Sequence, residues 1–367
     1  MPKLIRAAVV PEPGADFEIM DVLLDDPRAG EVLVRIEAVG ICHADIAARE
    51  GKTPFPYPAV LGHEGAGVVE AVGAGVTSVV PGDKVVLTFA SCGVCASCRS
   101  GLPSQCADFL SLNFAACARS DGSPTLWLGD TPLHGHFFGQ SPFATHALVT
   151  ERNTVKLPDE APLATLAPLG CGIQTGAGAV LNVLRPAPGG SVAVFGAGAV
   201  GLAAVMAARL TQAAHVVAVD VHPGRLDLAA ELGATDTIDA RTTDPVAAIR
   251  KLTGGGAGYV LESSGNVLVF RQAIDAAAIG GVIGIVGAPF GREAAVDVAD
   301  IVNSSKRIVG IVEGGGVPHV FIPALAELHA VGRLPVERLV AAFPFDRINE
   351  AARAAASGEA VKPVLLL

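Results

Sequence analysis

The chain has 367 residues, of which 51% are hydrophobic and 17% charged, and it carries a formal net charge of −10. That length suits two packed domains, and a chain so poor in charge and rich in apolar residues is not disordered. The absence of any long Lys/Arg run argues against nucleic acid and anionic membranes as partners. No apolar run is long enough to cross a bilayer and the N-terminus lacks a signal-peptide pattern, so a cytoplasmic location is expected.

Residues 3–149 are rich in Val, Gly and Pro, with short alternating runs at 31–38 and 84–87. They predict a β-rich domain of short strands and turns. Two isolated candidates lie early in it, Cys42 and His63, and a third, Cys171, follows much later. Two thiolates and an imidazole with a fourth position open make a catalytic zinc shell, although each residue taken singly reads as core packing. Between them, Cys92, Cys95, Cys98 and Cys106 read C-x-x-C-x-x-C-x(7)-C. Four thiolates close a tetrahedron and leave no position for substrate, which points to a structural zinc; a disulfide pair or an iron–sulfur cluster is the alternative. Cys117 falls outside that spacing and reads as a small buried apolar residue.

From Cys171 to about residue 309 the texture changes to buried strands alternating with Ala-rich helices. Strands are expected at 191–195, 216–219 and 282–286, and a helix at 202–210. Such alternation predicts a doubly wound parallel sheet. The first strand runs into Gly196-Ala197-Gly198-Ala199-Val200-Gly201. In this G-x-G-x-x-G turn, Gly196 permits the tight turn, Gly198 lets a pyrophosphate approach, and Gly201 lets helix and strand pack closely. The next strand ends in Asp220. An acid there accepts from the adenosine ribose hydroxyls and repels a 2′-phosphate, favouring NAD over NADP; the competing reading is a cap on the following loop. Arg225 reads equally as a residue over the adenosine and as an ordinary surface charge. Residues 310–367 return to a mixed texture with one helix at 321–331.

These segments resemble, in order and spacing, the zinc-dependent medium-chain alcohol dehydrogenases. The likeness rests on Gly40-Ile41-Cys42-His43, Gly62-His63-Glu64-Gly65-Ala66-Gly67, the four-cysteine loop, Gly170-Cys171-Gly172-Ile173-Gln174-Thr175-Gly176 and the glycine turn. The resemblance implies a GroES-like catalytic domain (1–172 and 310–367) interrupted by a Rossmann NAD-binding domain (173–309). It implies Cys42, His63 and Cys171 as catalytic zinc ligands, with Glu64 able to approach the metal during ligand exchange. Asp45 is then expected to hold His63 by its other ring nitrogen, or to cap a helix, or both. The family pattern also places His43 and Lys362 near the cofactor pyrophosphate, and Thr175 and Val200 on the nicotinamide side.

One departure stands out. The relay hydroxyl of most members, two residues after the first ligand, is here Ala44, and the terminal His position is Ala47. The proton must then leave through water, the ribose hydroxyl or His43. The alternative reading is the same fold with a different substrate class, or with turnover lost. Within the family the chain is most similar to bacterial aryl-alcohol dehydrogenases, through residues 137–144 and 317–323. That likeness implies a primary aryl or allylic alcohol, or its aldehyde, as the small-molecule partner. It also implies a homodimer or homotetramer. Phe137 and Phe138 read either as walls of a flat apolar pocket beside Ala44 or as ordinary core.

Overall fold

The alternating Val-rich runs fold as antiparallel strands, as a side-chain period of two on a half-buried surface requires. The computed structural model describes residues 2–115, 118–287 and 291–367, so the reading of Cys117 lies outside the described residues. Two compact units divide the chain: Met1–Cys171, Val317–Leu328 and Val336–Leu367 form one, and Gly172–Gly316 with His329–Pro335 the other.

The first unit opens with strands β1 (Lys3–Val10), β2 (Glu18–Leu24) and β3 (Glu31–Gly40), then helix α1 (His43–Arg49). Strands β4 (Ala59–Val60), β5 (Glu64–Val72) and β6 (Lys84–Leu87) follow, and then the short helix α2 (Ala96–Arg99). Strands β7 (Leu126–Leu128), β8 (Thr131–Leu133), β9 (His146–Thr150) and β10 (Thr154–Lys156) lead to helix α3 (Leu163–Leu166). One sheet has the order β4-β1-β2-β7-β8. In another, β3 pairs antiparallel with β5 and, over Glu31–Arg35, with β9.

The second unit starts with α4 (Gly172–Gly178) and alternates strictly: β11 (Ser191–Phe195), α5 (Ala199–Leu210), β12 (His215–Asp220), α6 (Pro223–Glu231) and β13 (Asp236–Asp239). It continues with α7 (Pro245–Thr253), β14 (Ala257–Glu262), α8 (Val267–Ala276), β15 (Ala277–Ile285), α9 (Val298–Asn303) and β16 (Arg307–Gly310). All pairs are parallel, in the order β13-β12-β11-β14-β15-β16. This is the doubly wound order in which the chain direction across the sheet reverses between β11 and β14, opening a crevice at the strands' carboxyl ends. Val192 to Phe195 are all buried, the unbroken apolar run that a sheet covered on both faces demands. Full burial of a side chain such as Phe195 is worth about 1.5–3 kcal/mol.

The chain ends with α10 (Pro318–Ala330), β17 (Val340–Pro344), α11 (Ile348–Ser357) and β18 (Lys362–Leu366). Strand β18 returns to pair with β3, matching Val364 to Gly40. Helix α11 has no counterpart in the sequence reading. Its buried face is Ile348, Ala351, Ala352 and Ala354, and alanine marks an apolar stripe only weakly. Among the described residues no single helix is long and apolar enough to cross a membrane.

Candidate metal centre and dinucleotide turn

Strand register assembles the first cluster. Gly40 of β3 stands opposite Glu64 of β5, so Cys42, just beyond β3, comes beside His63, just before β5. A Cβ on Gly40 would lie 2.0 Å from Glu64 Oε2, so only glycine leaves room for that carboxylate. Gly62 turns the chain at φ +94°, where an L side chain is strained. At the end of β6, Thr88 Oγ1 donates to the Gly170 carbonyl at 2.9 Å. A Cβ on Gly170 would meet the Leu87 carbonyl at 2.1 Å, and this close approach delivers Cys171. As a result Cys42, His63, Glu64 and Cys171 each offer a ligand atom, all within 4.8 Å of one another.

His63 is fully buried, with Nδ1 2.9 Å from Asp45 Oδ1. The same oxygen accepts from Gly62 N–H at 3.1 Å, and Oδ2 accepts from Cys42 N–H at 2.9 Å. Asp45 thus holds the imidazole and also stabilises the start of α1. The capping expectation needs one correction: the N-cap residue is Cys42, and Asp45 sits three positions on, reaching back to the cap's N–H. Gln140, absent from the sequence reading, donates from Nε2 to the carbonyls of His63 at 2.8 Å and Thr88 at 3.1 Å. A lone amide in the apolar run 137–144 was the available signal. The remaining ring nitrogen, His63 Nε2, is buried with no hydrogen-bond partner. An orphaned buried polar atom costs about 1–3 kcal/mol, and a soft metal ion held by two thiols and this nitrogen removes that cost. The donor set therefore fits zinc.

The charges of the cluster lean on one another. The Cys42 thiol is held well below its usual range, first by its hydrogen bond with Cys171 and then, against burial, by the Lys362 charge. Burial opposes a charged imidazole at His63, but the Asp45 carboxylate outweighs it and raises the pKa. Burial raises Glu64 despite the adjacent Lys362. The Lys362 ammonium, expected near a pyrophosphate, is buried, 2.9 Å from both Glu64 oxygens and 3.2 Å from the Ile41 carbonyl. The antiparallel pairing of β18 with β3 is what draws it to Cys42 and Glu64. His43 is exposed at the first position of α1, and Ala44 packs, half-buried, on the core.

Phe137 and Phe138 pack on the imidazole. Phe138 stacks on His63 with ring centroids 4.3 Å apart, and Phe137 meets it edge-on at 5.5 Å. Phe137 also touches Phe55 and Phe114 and has no exposed surface. Phe137 is therefore part of the packed core beside the His63 ring.

Cys92, Cys95, Cys98 and Cys106 form a second group with sulfurs within 4.8 Å of one another. Backbone N–H groups point at the sulfurs: Cys92 N–H to Cys106 Sγ at 3.3 Å and Cys95 N–H to Cys92 Sγ at 3.4 Å. Hydrogen bonds from the backbone near Cys106 and Cys98 bring Cys95 down to about 6, whereas burial pushes Cys106 up to about 12. All four thiols are free, as a shared metal requires and a disulfide pair does not.

In the second unit the glycine turn behaves as its residues demand. Gly196 has φ +92°, and a Cβ on Gly201 would lie 1.8 Å from the Gly196 carbonyl. A Cβ on Gly198 would meet nothing within 4 Å, so the backbone at the start of α5 faces open space. Asp220 Oδ2 accepts from Ala197 N–H at 2.6 Å, and Oδ1 from Val221 and His222 N–H at 2.7 and 2.9 Å. The loop-capping interaction is therefore real. It occupies three of roughly four acceptor positions and leaves Oδ2 able to accept again. Arg225 is half-buried in the first turn of α6, and Val200 is half-buried in the first turn of α5. Thr175 is buried in α4 with its hydroxyl 3.5 Å from Glu313.

Comparison with known proteins places these features in context. Residues 28–159 match an alcohol dehydrogenase GroES-like domain, and residues 199–330 match a zinc-binding dehydrogenase domain. A geraniol dehydrogenase of Castellaniella defragrans is 45% identical over 98% of this chain and 97% of its own length. A crystal structure of an alcohol dehydrogenase zinc-binding domain protein from Burkholderia ambifaria is 51% identical, with a TM-score of 0.98 over 100% of both chains. The benzyl alcohol dehydrogenase of Acinetobacter calcoaceticus is 46% identical, with a TM-score of 0.96 over 100% of this chain and 99% of that one.

Proposed function

The chain belongs to the zinc-dependent medium-chain alcohol dehydrogenase family, and we propose that it interconverts primary aryl or allylic alcohols and their aldehydes with NAD as hydride acceptor. The observation that carries this reading is the cluster of half-buried Cys42 and Cys171 with buried His63 and Glu64 around an unpartnered His63 Nε2. Cys42, His63 and Cys171 would hold a catalytic zinc, and the four-cysteine loop a structural one. Zinc supplies Lewis acidity toward the alcohol oxygen, and the nicotinamide supplies the acceptor for hydride.

The chain's own residues do the rest. Asp45 keeps the His63 proton on Nδ1 and so leaves Nε2 as the donor atom. Phe138 and Phe137 fix the ring plane and exclude water behind it. Lys362 holds Glu64 in place through two charge-assisted hydrogen bonds. Asp220, with acceptor capacity left on Oδ2, favours a ribose hydroxyl over a 2′-phosphate. Similarity to the benzyl alcohol and geraniol dehydrogenases supports the aryl or allylic substrate class. The reading extends to a cytoplasmic homodimer or homotetramer, since free thiols such as the six described here persist in a reducing compartment.

Ala44 favours a second reading, a site altered for another substrate or without turnover, because a methyl group cannot pass the alcohol proton. NADH formation from benzyl, cinnamyl and geranyl-type alcohols, on protein of measured zinc content, separates the two. Chelator-sensitive turnover with two zinc ions per chain supports the first reading. No turnover in either direction despite full zinc and NAD binding supports the second.

A further inference from the structure

Glu313 has no counterpart in the sequence reading, and three observations single it out. It is a buried carboxylate at 7% exposure. Its backbone sits at φ +49°, a left-handed conformation that costs a non-glycine residue about 1–3 kcal/mol. It is followed by three glycines, Gly314 to Gly316, that clamp the turn to helix α4. A Cβ on Gly314 would lie 2.1 Å from the Gln174 carbonyl, and one on Gly178 would lie 2.4 Å from the Gly314 carbonyl. Asn182 Nδ2 donates to that same Gly314 carbonyl at 3.1 Å. The strain is therefore held in place by packing on both sides.

The carboxylate is aimed and solvated by α4. Gln174 Nε2 donates to Glu313 Oε2 at 3.1 Å, and the Thr175 hydroxyl lies 3.5 Å from the same oxygen. Both of these groups donate, as suits an ionised carboxylate, which is an acceptor only. Its place in the sheet is equally defined. Ile311 N–H extends the ladder beyond β16 by donating to the Ile285 carbonyl at 2.8 Å, and Glu313 follows two residues later. It therefore stands at the carboxyl edge of the sheet, beyond β14 and β15 from the crevice between β11 and β14. In a doubly wound sheet the adenosine half of a dinucleotide lies over the first half, here the side of Asp220 and β12. The nicotinamide half lies over the other.

We infer that Glu313 is a specificity-determining residue that favours the oxidised nicotinamide over the reduced one. This rests on the NAD reading above. The oxidised ring carries a positive charge and the reduced ring none. A fixed carboxylate in a water-poor setting therefore stabilises one redox form and leaves the other nearly untouched. Thr175 and Gln174 are the positioning residues that keep the charge at the carboxyl edge.

The test is direct binding of NAD+ and of NADH to the zinc-loaded protein by calorimetry, with NADP+ as a third ligand, in the parent, Glu313→Gln and Glu313→Gly. The Gln variant keeps the shape and loses the charge. The Gly variant loses the charge and also relieves the positive φ, so it folds even if the Gln variant does not. Each is expected to bind NAD+ about tenfold more weakly, about 1.4 kcal/mol, with NADH within about twofold of the parent. Equal weakening of both redox forms, or no change in either variant that folds, overturns the inference and leaves Glu313 as a structural acid. A parent that binds neither NAD+ nor NADH overturns the NAD reading itself, which is a separate failure.

Discussion

Asp45→Asn separates two roles that the structure superimposes on one carboxylate. Oδ1 accepts from His63 Nδ1 and from Gly62 N–H, and Oδ2 from Cys42 N–H. Replacing one oxygen by an amide NH2 sets a donor against a donor whichever way the group turns. The less costly orientation keeps the His63 and Gly62 bonds and faces the NH2 toward Cys42 N–H. Because Asp45 and His63 are both fully buried, the mismatch costs about 1–3 kcal/mol of folding stability. Loss of the negative charge behind the imidazole also makes it a weaker ligand. Changes to such a supporting carboxylate lower metal affinity about 10–100-fold, or about 1.4–2.7 kcal/mol. Competition with a chromophoric chelator reads this directly, and the four-cysteine site in the same chain serves as an internal control. Expected is one zinc equivalent released at a 10–100-fold lower chelator concentration, the second unchanged, and a lower unfolding temperature of the metal-free protein. Metal retention within about twofold of the parent, alongside the loss of stability, would refute the supporting role and leave Asp45 as a helix cap alone.

Other perturbations probe separate parts of the molecule. Ala44→Thr is expected to raise alcohol oxidation, by up to the 10²–10⁴-fold that general acid–base help supplies; a variant no faster at any pH sinks the relay argument. Arg119 donates to Glu31 at 2.7 and 3.1 Å and to Asp25 at 2.8 Å while itself 7% exposed. Arg119→Met leaves Glu31 with the Arg28 N–H and Asp25 with Trp127 Nε1, but removes the buried cation between the two carboxylates, and should cost about 3 kcal/mol in urea unfolding; a loss under about 1 kcal/mol shows that the network is neutral. Burial lowers His136 to about 4, against an ordinary value near 6.5, so between these pH values the unfolded chain binds a proton that the folded chain does not. Stability is then full above pH 6.5 and falls as the pH drops from 6.5 to about 4, where the loss levels off at about 3 kcal/mol at most for this group. His136→Asn, which tolerates the φ of +55°, should flatten that acid limb, and an unchanged limb assigns it to other groups.

The sheet of the second unit was legible because its signals are local. An unbroken apolar run such as 192–195, running into a glycine turn, reads as a strand covered on both faces, and the glycines at 196 and 201 answer demands that the structure displays, a positive φ and a close approach. Helix α11 was not legible for the opposite reason. Its buried face is mostly alanine, and Ala351, Ala352 and Ala354 carry too little apolar area to stand out from Ala356, which is exposed on the same helix.

The residues of the first donor cluster stood out in the chain as candidates but not as a geometry. Cys42, His63 and Cys171 are spread over much of the first unit, and only the pairing of β3 with β5 and the Thr88–Gly170 contact join them. Register is a property of two strands together, so a single sequence cannot print it. The same cause explains Lys362. The contact of this lysine with Glu64 appears only once β18 is paired with β3, which carries it toward Cys42. Gln140 and Glu313 were missed because their meaning lies in long-range partners, 77 residues away for Gln140 with His63 and 139 for Glu313 with Gln174. A buried polar side chain announces itself only once its neighbours are known, since burial without a hydrogen bond is what the fold must avoid. The residues hardest to read from the chain are thus the ones most constrained by its fold, and they are where substitution should most change the chemistry without changing the architecture.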